Sequence, residues 1–156
     1  MRNEGIIDRY YKEAVAGLNE TILTYNDLWY SYVTNLPKHL QIVYTIVVFH
    51  QQVFNGGLHQ YFFNSYGQFA YLTVEHLKLI KAVKTSRILE RAIREVNFEN
   101  FNVDEFRAKI FNREIDRIAD FDEKLSIFLE FLDNEYDNLD EDLEQLLLDC
   151  CLKITI

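Results

Sequence analysis

"VFNGGLHQYFFNSYG", residues 53–67, packs two adjacent glycines, four aromatics besides its first Phe, a histidine and two asparagines into fifteen positions. It is either a pocket that binds or reacts, or a corner where one helix hands over to another. The flanking chain decides the fold. Upstream, "PKHLQIVYTIVVFHQQVF" carries its one proline at the first helical position and no breaker after it. Its middle, "IVVF", is β-branched enough for a buried strand, but the uninterrupted length predicts a helix. Downstream, residues 69–83 and 86–96 resume helical spacing. The glycines then separate helices. Asn55 ends the first, Gly56 or Gly57 supplies a left-handed C′ position, and the other glycine permits close approach. Phe54, Leu58, Tyr61, Phe62 and Phe63 are expected to fill the corner. Asn64 and Ser65 are expected to cap backbone near Gly67, and Gln51, Gln52 and Gln60 to bond loop backbone.

Reactive readings of the stretch lack parts. Neither phosphate-cradling glycine pattern is present. His50 and His59 stand nine apart across the break with no acid beside them in the stretch, so no metal is expected. Ser65 with His59 lacks a third orienting group, so no catalytic residue is assigned. No cofactor is expected. A small-ligand or enzymatic pocket built from His59, Gln60, Tyr61 and Asn64 stays open as an alternative.

The rest of the chain reads the same way. Ile6, Ile7, Tyr10, Tyr11, Ala14, Val15 and Leu18 mark one helix face. Asp27, Asp104 and Asp120 are candidate helix starts, and Asp140 lies near the start of the last helix. The expectation is one all-α domain over residues 1–156 with about eight or nine helices. One proline and five glycines in 156 residues leave little material for a turn-rich β fold. No apolar run is long enough to span a membrane, and "MRNEGIIDRYYKEA" lacks the apolar core of a signal peptide, so a cytoplasmic location is expected. Cys150 and Cys151, adjacent, read as small hydrophobes. "NET" at residues 19–21 matches a glycosylation sequon by chance.

Charge is divided unevenly. Residues 1–113 hold 13 Lys/Arg against 11 Asp/Glu, whereas residues 114–156 hold 3 against 14. Lys78, Lys81, Lys84, Arg87, Arg91 and Arg94 would form a basic stripe if their helices were collinear. The net charge of −9 opposes nucleic-acid binding through it. Nine acids fall between Glu130 and Asp149 with no Lys or Arg among them: Glu130, Asp133, Glu135, Asp137, Asp140, Glu141, Asp142, Glu144 and Asp149. Phe121, Leu125, Phe128 and Leu132, then Leu139, Leu143, Leu146, Leu147 and Cys150, keep helical spacing through the same region. The carboxylates are therefore expected on a folded scaffold rather than a tail. The first eight acids of that series are the candidate partner-binding face. Ordered carboxylates can stand in for phosphates, which position DNA-binding proteins without carrying sequence.

Asn55, Gly56, Gly57, Leu58, Gln60, Tyr61, Phe62, Asn64, Ser65 and Gly67 together resemble the motif N-G-G-[F/L]-x-Q-[F/Y]-[F/W]-x-N-[S/A]-x-G of a bacterial family of unknown function named after a DNA-mimic protein. The closing segment, "FDEKLSIFLEFLDNEYDNLDEDLEQLLLDCCLK", is similar to that family's acidic end. The resemblance covers roughly residues 35–152. It implies an all-helical fold and an acidic dimer occupying the DNA-binding surface of a transcriptional regulator. Leu58 stands where the family more usually carries an aromatic, and "CC" at 150–151 replaces an expected aromatic–aliphatic pair. The expected function is non-enzymatic protein binding to a basic, DNA-binding partner. An immunity-type or other regulatory protein that neutralises a basic toxin or enzyme is the alternative. Neither direct nucleic-acid contact nor a membrane is expected, and a homodimer is allowed.

Overall fold

The computed structural model describes residues 4–155. Ten α-helical segments carry them: α1 (Glu4–Val15), α2 (Glu20–Thr24), α3 (Asn26–Thr34), α4 (Lys38–Phe63), α5 (Ala70–Leu79), α6 (Val83–Val96), α7 (Val103–Phe111), α8 (Asp116–Ala119), α9 (Glu123–Asp137) and α10 (Leu143–Thr155). A 3-10 turn, Tyr66–Phe69, joins α4 to α5, and no strand occurs among the described residues. The all-α expectation holds, and "IVVF" is helix.

α4 is the axis. Val43, Phe49, Leu58, Tyr61 and Phe62 on it are fully enclosed, and α1, α5 and α9 pack around it. Burying such side chains stabilises by roughly 1.5–3 kcal/mol each, which outweighs the weak helix propensity of its β-branched middle. A second cluster forms around Trp29, whose indole N–H donates to Tyr44 Oη at 3.0 Å. The rings of Tyr66, Phe69 and Phe111 meet Trp29 edge-on.

Helix starts differ from expectation by one or two residues, in α7 and α9 toward the side chain that reaches the free N–H groups. Asn102 Oδ1 accepts Glu105 N–H at 2.9 Å, so Asp104 lies inside α7. Asp122 Oδ2 accepts Leu125 N–H at 2.9 Å, so Asp120 precedes the cap of α9. α3 starts after Tyr25, which places Asp27 in its first turn. The short α2 went unforeseen, although Asn19 of the "NET" triplet caps it by accepting Ile22 N–H at 2.9 Å.

Three helices, α5, α7 and α8, share one paired closure that is made without glycine. Ala82 N–H donates to Leu77 C=O at 2.8 Å and Lys81 N–H to Lys78 C=O at 3.0 Å. Glu114 to Lys109 and Asp122 to Arg117 repeat the six-to-one bond. This paired closure needs a left-handed residue after the C-cap. Lys81, Arg113 and Phe121 fill it at φ 68°, 55° and 53°. The closure at Lys81 turns α6 back antiparallel to α5, so that Lys78 pairs with Glu90 at 3.2 Å and Asn97 Nδ2 donates to Tyr71 Oη at 2.9 Å. The basic residues 78–94 therefore do not share one collinear helix.

Candidate acidic interface

The glycine–aromatic stretch is a kink inside α4. Gly57 has φ 82° and ψ 177°. This is not the left-handed C′ conformation expected but a fully extended positive-φ region that only glycine enters at low energy. The chain re-enters helix at Leu58, whose N–H has no upstream carbonyl to bond. Asp133 Oδ1, from α9, accepts it at 2.8 Å. A Cβ on Gly57 would run into Asp133 Oδ2, so glycine serves both the backbone angle and the approach of α9. Gly67 serves contact alone, since a Cβ there would stand 2.9 Å from Phe62 Cα. The left-handed residue in that turn is Ser65, at φ 70°.

Around the kink Leu58, Tyr61 and Phe62 are buried as expected. Phe54 is not: it is 78% exposed and leaves the corner unfilled. The amides bond one another rather than loop backbone. Gln52 Oε1 accepts from Gln60 Nε2 at 3.1 Å and Asn64 Nδ2 at 3.0 Å, while Gln51 is exposed. Ser65 Oγ lies 3.4 Å from Phe111 C=O, away from Gly67. His59 Nε2 sits 3.1 Å from Ile118 C=O, and its ring stacks on Phe121 with centroids 4.3 Å apart. Phe121 is thereby held outside the core, 59% exposed, against expectation. Tyr61 is wholly enclosed, with its hydroxyl 3.4 Å from Thr73 Oγ1. Gln60 and Asn64 meet at Gln52, whereas Tyr61 lies in the core and His59 faces Ile118 and Phe121, and none of the four lines the cleft beside His50 and Tyr136 or the one beside Tyr71 and Asn97.

The eight acids of the candidate face divide by task. Four are engaged within the fold. Besides Asp133, Glu141 caps α6, whose own N-cap residue, Ala82, has no side-chain acceptor. Its carboxylate accepts Lys84 N–H at 3.0 Å, Thr85 N–H at 2.9 Å and the Thr85 hydroxyl at 2.7 Å. Asp142 Oδ1 accepts Gln145 N–H at 3.0 Å in the first turn of α10. Glu135 pairs with Arg91 at 2.6 Å. A carboxylate at a helix N-terminus satisfies orphan donors and the positive end of the helix dipole together. Burial pushes the Asp133 carboxyl above its ordinary range; the Leu58 N–H opposes this, and the Asp137 and Glu130 charges add to it. The other four, Glu130, Asp137, Asp140 and Glu144, are exposed, as is Asp149 beyond them.

The same contacts consume part of the basic stripe. Lys78 pairs with Glu90, Arg91 with Glu135, and Lys84 Nζ donates to Asp140 C=O at 3.2 Å. The acidic segment is thus fastened to α4 through Asp133 and to α6 through Glu135 and Glu141. Its free carboxylates project from a scaffold fixed on two sides.

Beside this face lies a cleft of about 530 Å³ where α1, α4, α9 and α10 meet. His50 and Tyr136 stand in it, with His50 Nδ1 and Tyr136 Oη 2.6 Å apart. Burial lowers the His50 pKa, partly offset by Glu144, and burial raises that of Tyr136. At neutral pH the pair is therefore uncharged. Sequence reasoning weighed His50 only as a metal ligand. Its contact with a tyrosine 86 positions away has no local signature. Among the described residues, no group of three or more His, Cys, Asp or Glu is placed to hold a metal ion. No helix among them is long and apolar enough to cross a membrane. Cys151 is buried, and burial pushes its thiol pKa up to about 11.

A family model described as DMP19-like protein matches residues 34–153. No curated protein and no solved structure gives a match.

Proposed function

The chain belongs to the DMP19-like protein family, and from that premise we propose that it is an acidic protein-binding domain acting as a DNA mimic. It would occupy the DNA-binding surface of a basic partner such as a transcriptional regulator. The observation that carries this reading is the division of the acids. Asp133, Glu135, Glu141 and Asp142 fix the segment, while Glu130, Asp137, Asp140, Glu144 and Asp149 are left exposed. Carboxylates carried on a folded scaffold lose little backbone entropy on binding, which a charged tail would have to surrender. Glu130 and Asp137 stand two helical turns apart, about 10 Å along the axis, comparable to three nucleotide steps of roughly 3.4 Å. Their sign repels nucleic acid and attracts the Lys/Arg surfaces that contact it.

The test is capture of partners from extract of the source organism, repeated with competing duplex DNA and across a salt series. The expected result is a basic, DNA-binding protein that DNA displaces and that salt releases steeply. A basic partner indifferent to DNA would point instead to a regulatory or immunity-type protein. Partners that are neither basic nor salt-sensitive would sink the reading.

A further inference from the structure

The cleft at the edge of the acidic face has a composition that the free carboxylates alone do not explain. Its floor is aliphatic: Ile7, Ile46, Val47, Leu139, Leu143 and Leu147. Its rim carries Asp8, Glu141, Asp142 and Glu144, and none of the described residues lining it is Lys or Arg. Glu141 is engaged with the α6 N-terminus, and one Asp142 oxygen with Gln145. Asp8 and Glu144, both exposed, line it from two different helices, α1 and α10. The floor offers His50 and Tyr136 as neutral polar groups already paired to each other. The volume falls within the range of ligand-sized pockets.

An apolar floor beneath an anionic rim complements a group with an aliphatic stem and a cationic head. An anionic ligand would meet the rim carboxylates, and a purely apolar one would leave them facing its surface. A bare cation would gain nothing from the floor. Lys and Arg side chains have this two-part form and normally lay their stems along apolar surface with the charge at the edge. We propose that this cleft is the anchoring pocket for a basic side chain of the partner protein, seated between α1 and α10. The proposal rests on the protein-binding reading above and gives it a place: one basic residue enters the cleft while its neighbours meet the exposed acids. It also separates this protein from a uniform charged surface, because a buried stem adds shape selection to charge attraction.

The test uses N-butylguanidinium as the side-chain probe and N-butylurea as its neutral counterpart, followed by NMR on the labelled protein. The guanidinium is expected to bind saturably with millimolar affinity, shifting resonances of His50, Tyr136 and Leu143. Butylurea and guanidinium alone should bind more weakly. Asp8→Asn with Glu144→Gln, both at exposed positions, should weaken the probe by about five-fold. Val47→Phe, which fills the floor, should abolish binding. If Val47→Phe disturbs the fold, the Asp8/Glu144 pair still decides. Equal binding of butylurea, unsaturable shifts spread over all exposed acids, or no loss in either variant would overturn the proposal. The two readings fail separately. If a DNA-displaced partner binds undiminished to a folded Val47→Phe protein, the cleft is not its anchor and the DNA-mimic reading stands. If the probe binds as expected but no captured partner competes with DNA, the cleft stands and the mimic reading falls.

Discussion

Asp133 Oδ1 accepts the Leu58 N–H at 2.8 Å across 75 positions of chain, and so supplies the cap that the second half of α4 lacks. What the contact needs is an acceptor rather than a charge, because burial already disfavours the ionised form. Asp133→Asn should therefore keep stability within about 1 kcal/mol, whereas Asp133→Ala should lose about 1–2 kcal/mol as the N–H is orphaned. Urea unfolding of the two variants checks this. Equal losses would mean that the charge itself matters.

The two glycines of the motif should respond differently. Gly57→Ala forces a positive φ on a residue with a Cβ and drives that Cβ into Asp133, for an expected loss of about 3 kcal/mol. Gly56→Ala meets the Gln60 side chain, whose amide must swing away from Gln52 while its Cβ stays 3.0 Å off, and gains helix propensity in return. Its thermal midpoint should correspond to a change within about 1 kcal/mol of the parent.

Glu141 and Glu144 lie three residues apart and should separate stability from binding. Glu141→Ala removes three hydrogen bonds at the α6 N-terminus and should lower unfolding free energy by about 2 kcal/mol. Glu144→Ala should change it by no more than about 0.5 kcal/mol while weakening capture of a basic partner. Denaturation and capture measured on both variants should rank them in opposite orders.

His76 is fully enclosed, and burial with the Lys38 charge lowers its pKa to about 4. The Thr45 hydroxyl lies 2.6 Å from His76 Nδ1 and 3.0 Å from Gln41 C=O. His76 Nε2 has no hydrogen-bond partner among the described residues. The unfolded chain takes up this proton near pH 6.5 and the folded protein only near pH 4. Stability contributed by neutral His76 is thus present above pH 6.5 and declines through that window by up to about 1.4 kcal/mol per pH unit. Urea midpoints measured between pH 7 and 4 should fall, and should fall less steeply in His76→Gln. Burial lowers His50 and His59 in the same direction, so some slope should remain.

Lys81 holds a left-handed conformation that disfavours a side chain. Lys81→Gly should stabilise by about 0.5–1 kcal/mol. The same closure at Arg113 is a less clean site, because its guanidinium lies 4.2 Å from the Phe63 ring centroid.

The helical class was legible because apolar residues recur at helical spacing from Ile6 to Cys150, and because few breakers interrupt them. The corner was legible as a break but not in its geometry. An Asn-Gly-Gly sequence announces a positive φ, yet whether it falls in the left-handed or the extended region depends on the neighbour that presses on it, here Asp133. The acids from Glu130 to Asp149 stood out as a set, but their separation into caps and free charges did not. Glu141 reaches Thr85 across 56 positions and Asp133 reaches Leu58 across 75, and no local pattern encodes such partners. The basic residues 78–94 misled for the converse reason: Lys81 takes a conformation usually left to glycine, so the turn between α5 and α6 carries no glycine to mark it.

The long-range caps also impose an order of events. A ribosome releases the chain from its N-terminus, so α4 and α6 emerge well before the residues that complete them. Until Asp133 and Glu141 are made, the N–H groups of Leu58, Lys84 and Thr85 lack the carboxylates that cap them, and the α4 surface that receives α9 has nothing to cover it. The carboxylates of the acidic segment thus arrive late in synthesis, together with the α10 core residues Leu147, Leu148 and Cys151. A nascent chain stalled at residue 130 should be more open to proteolysis than its length alone would imply, and closure of the domain should coincide with presentation of its binding face.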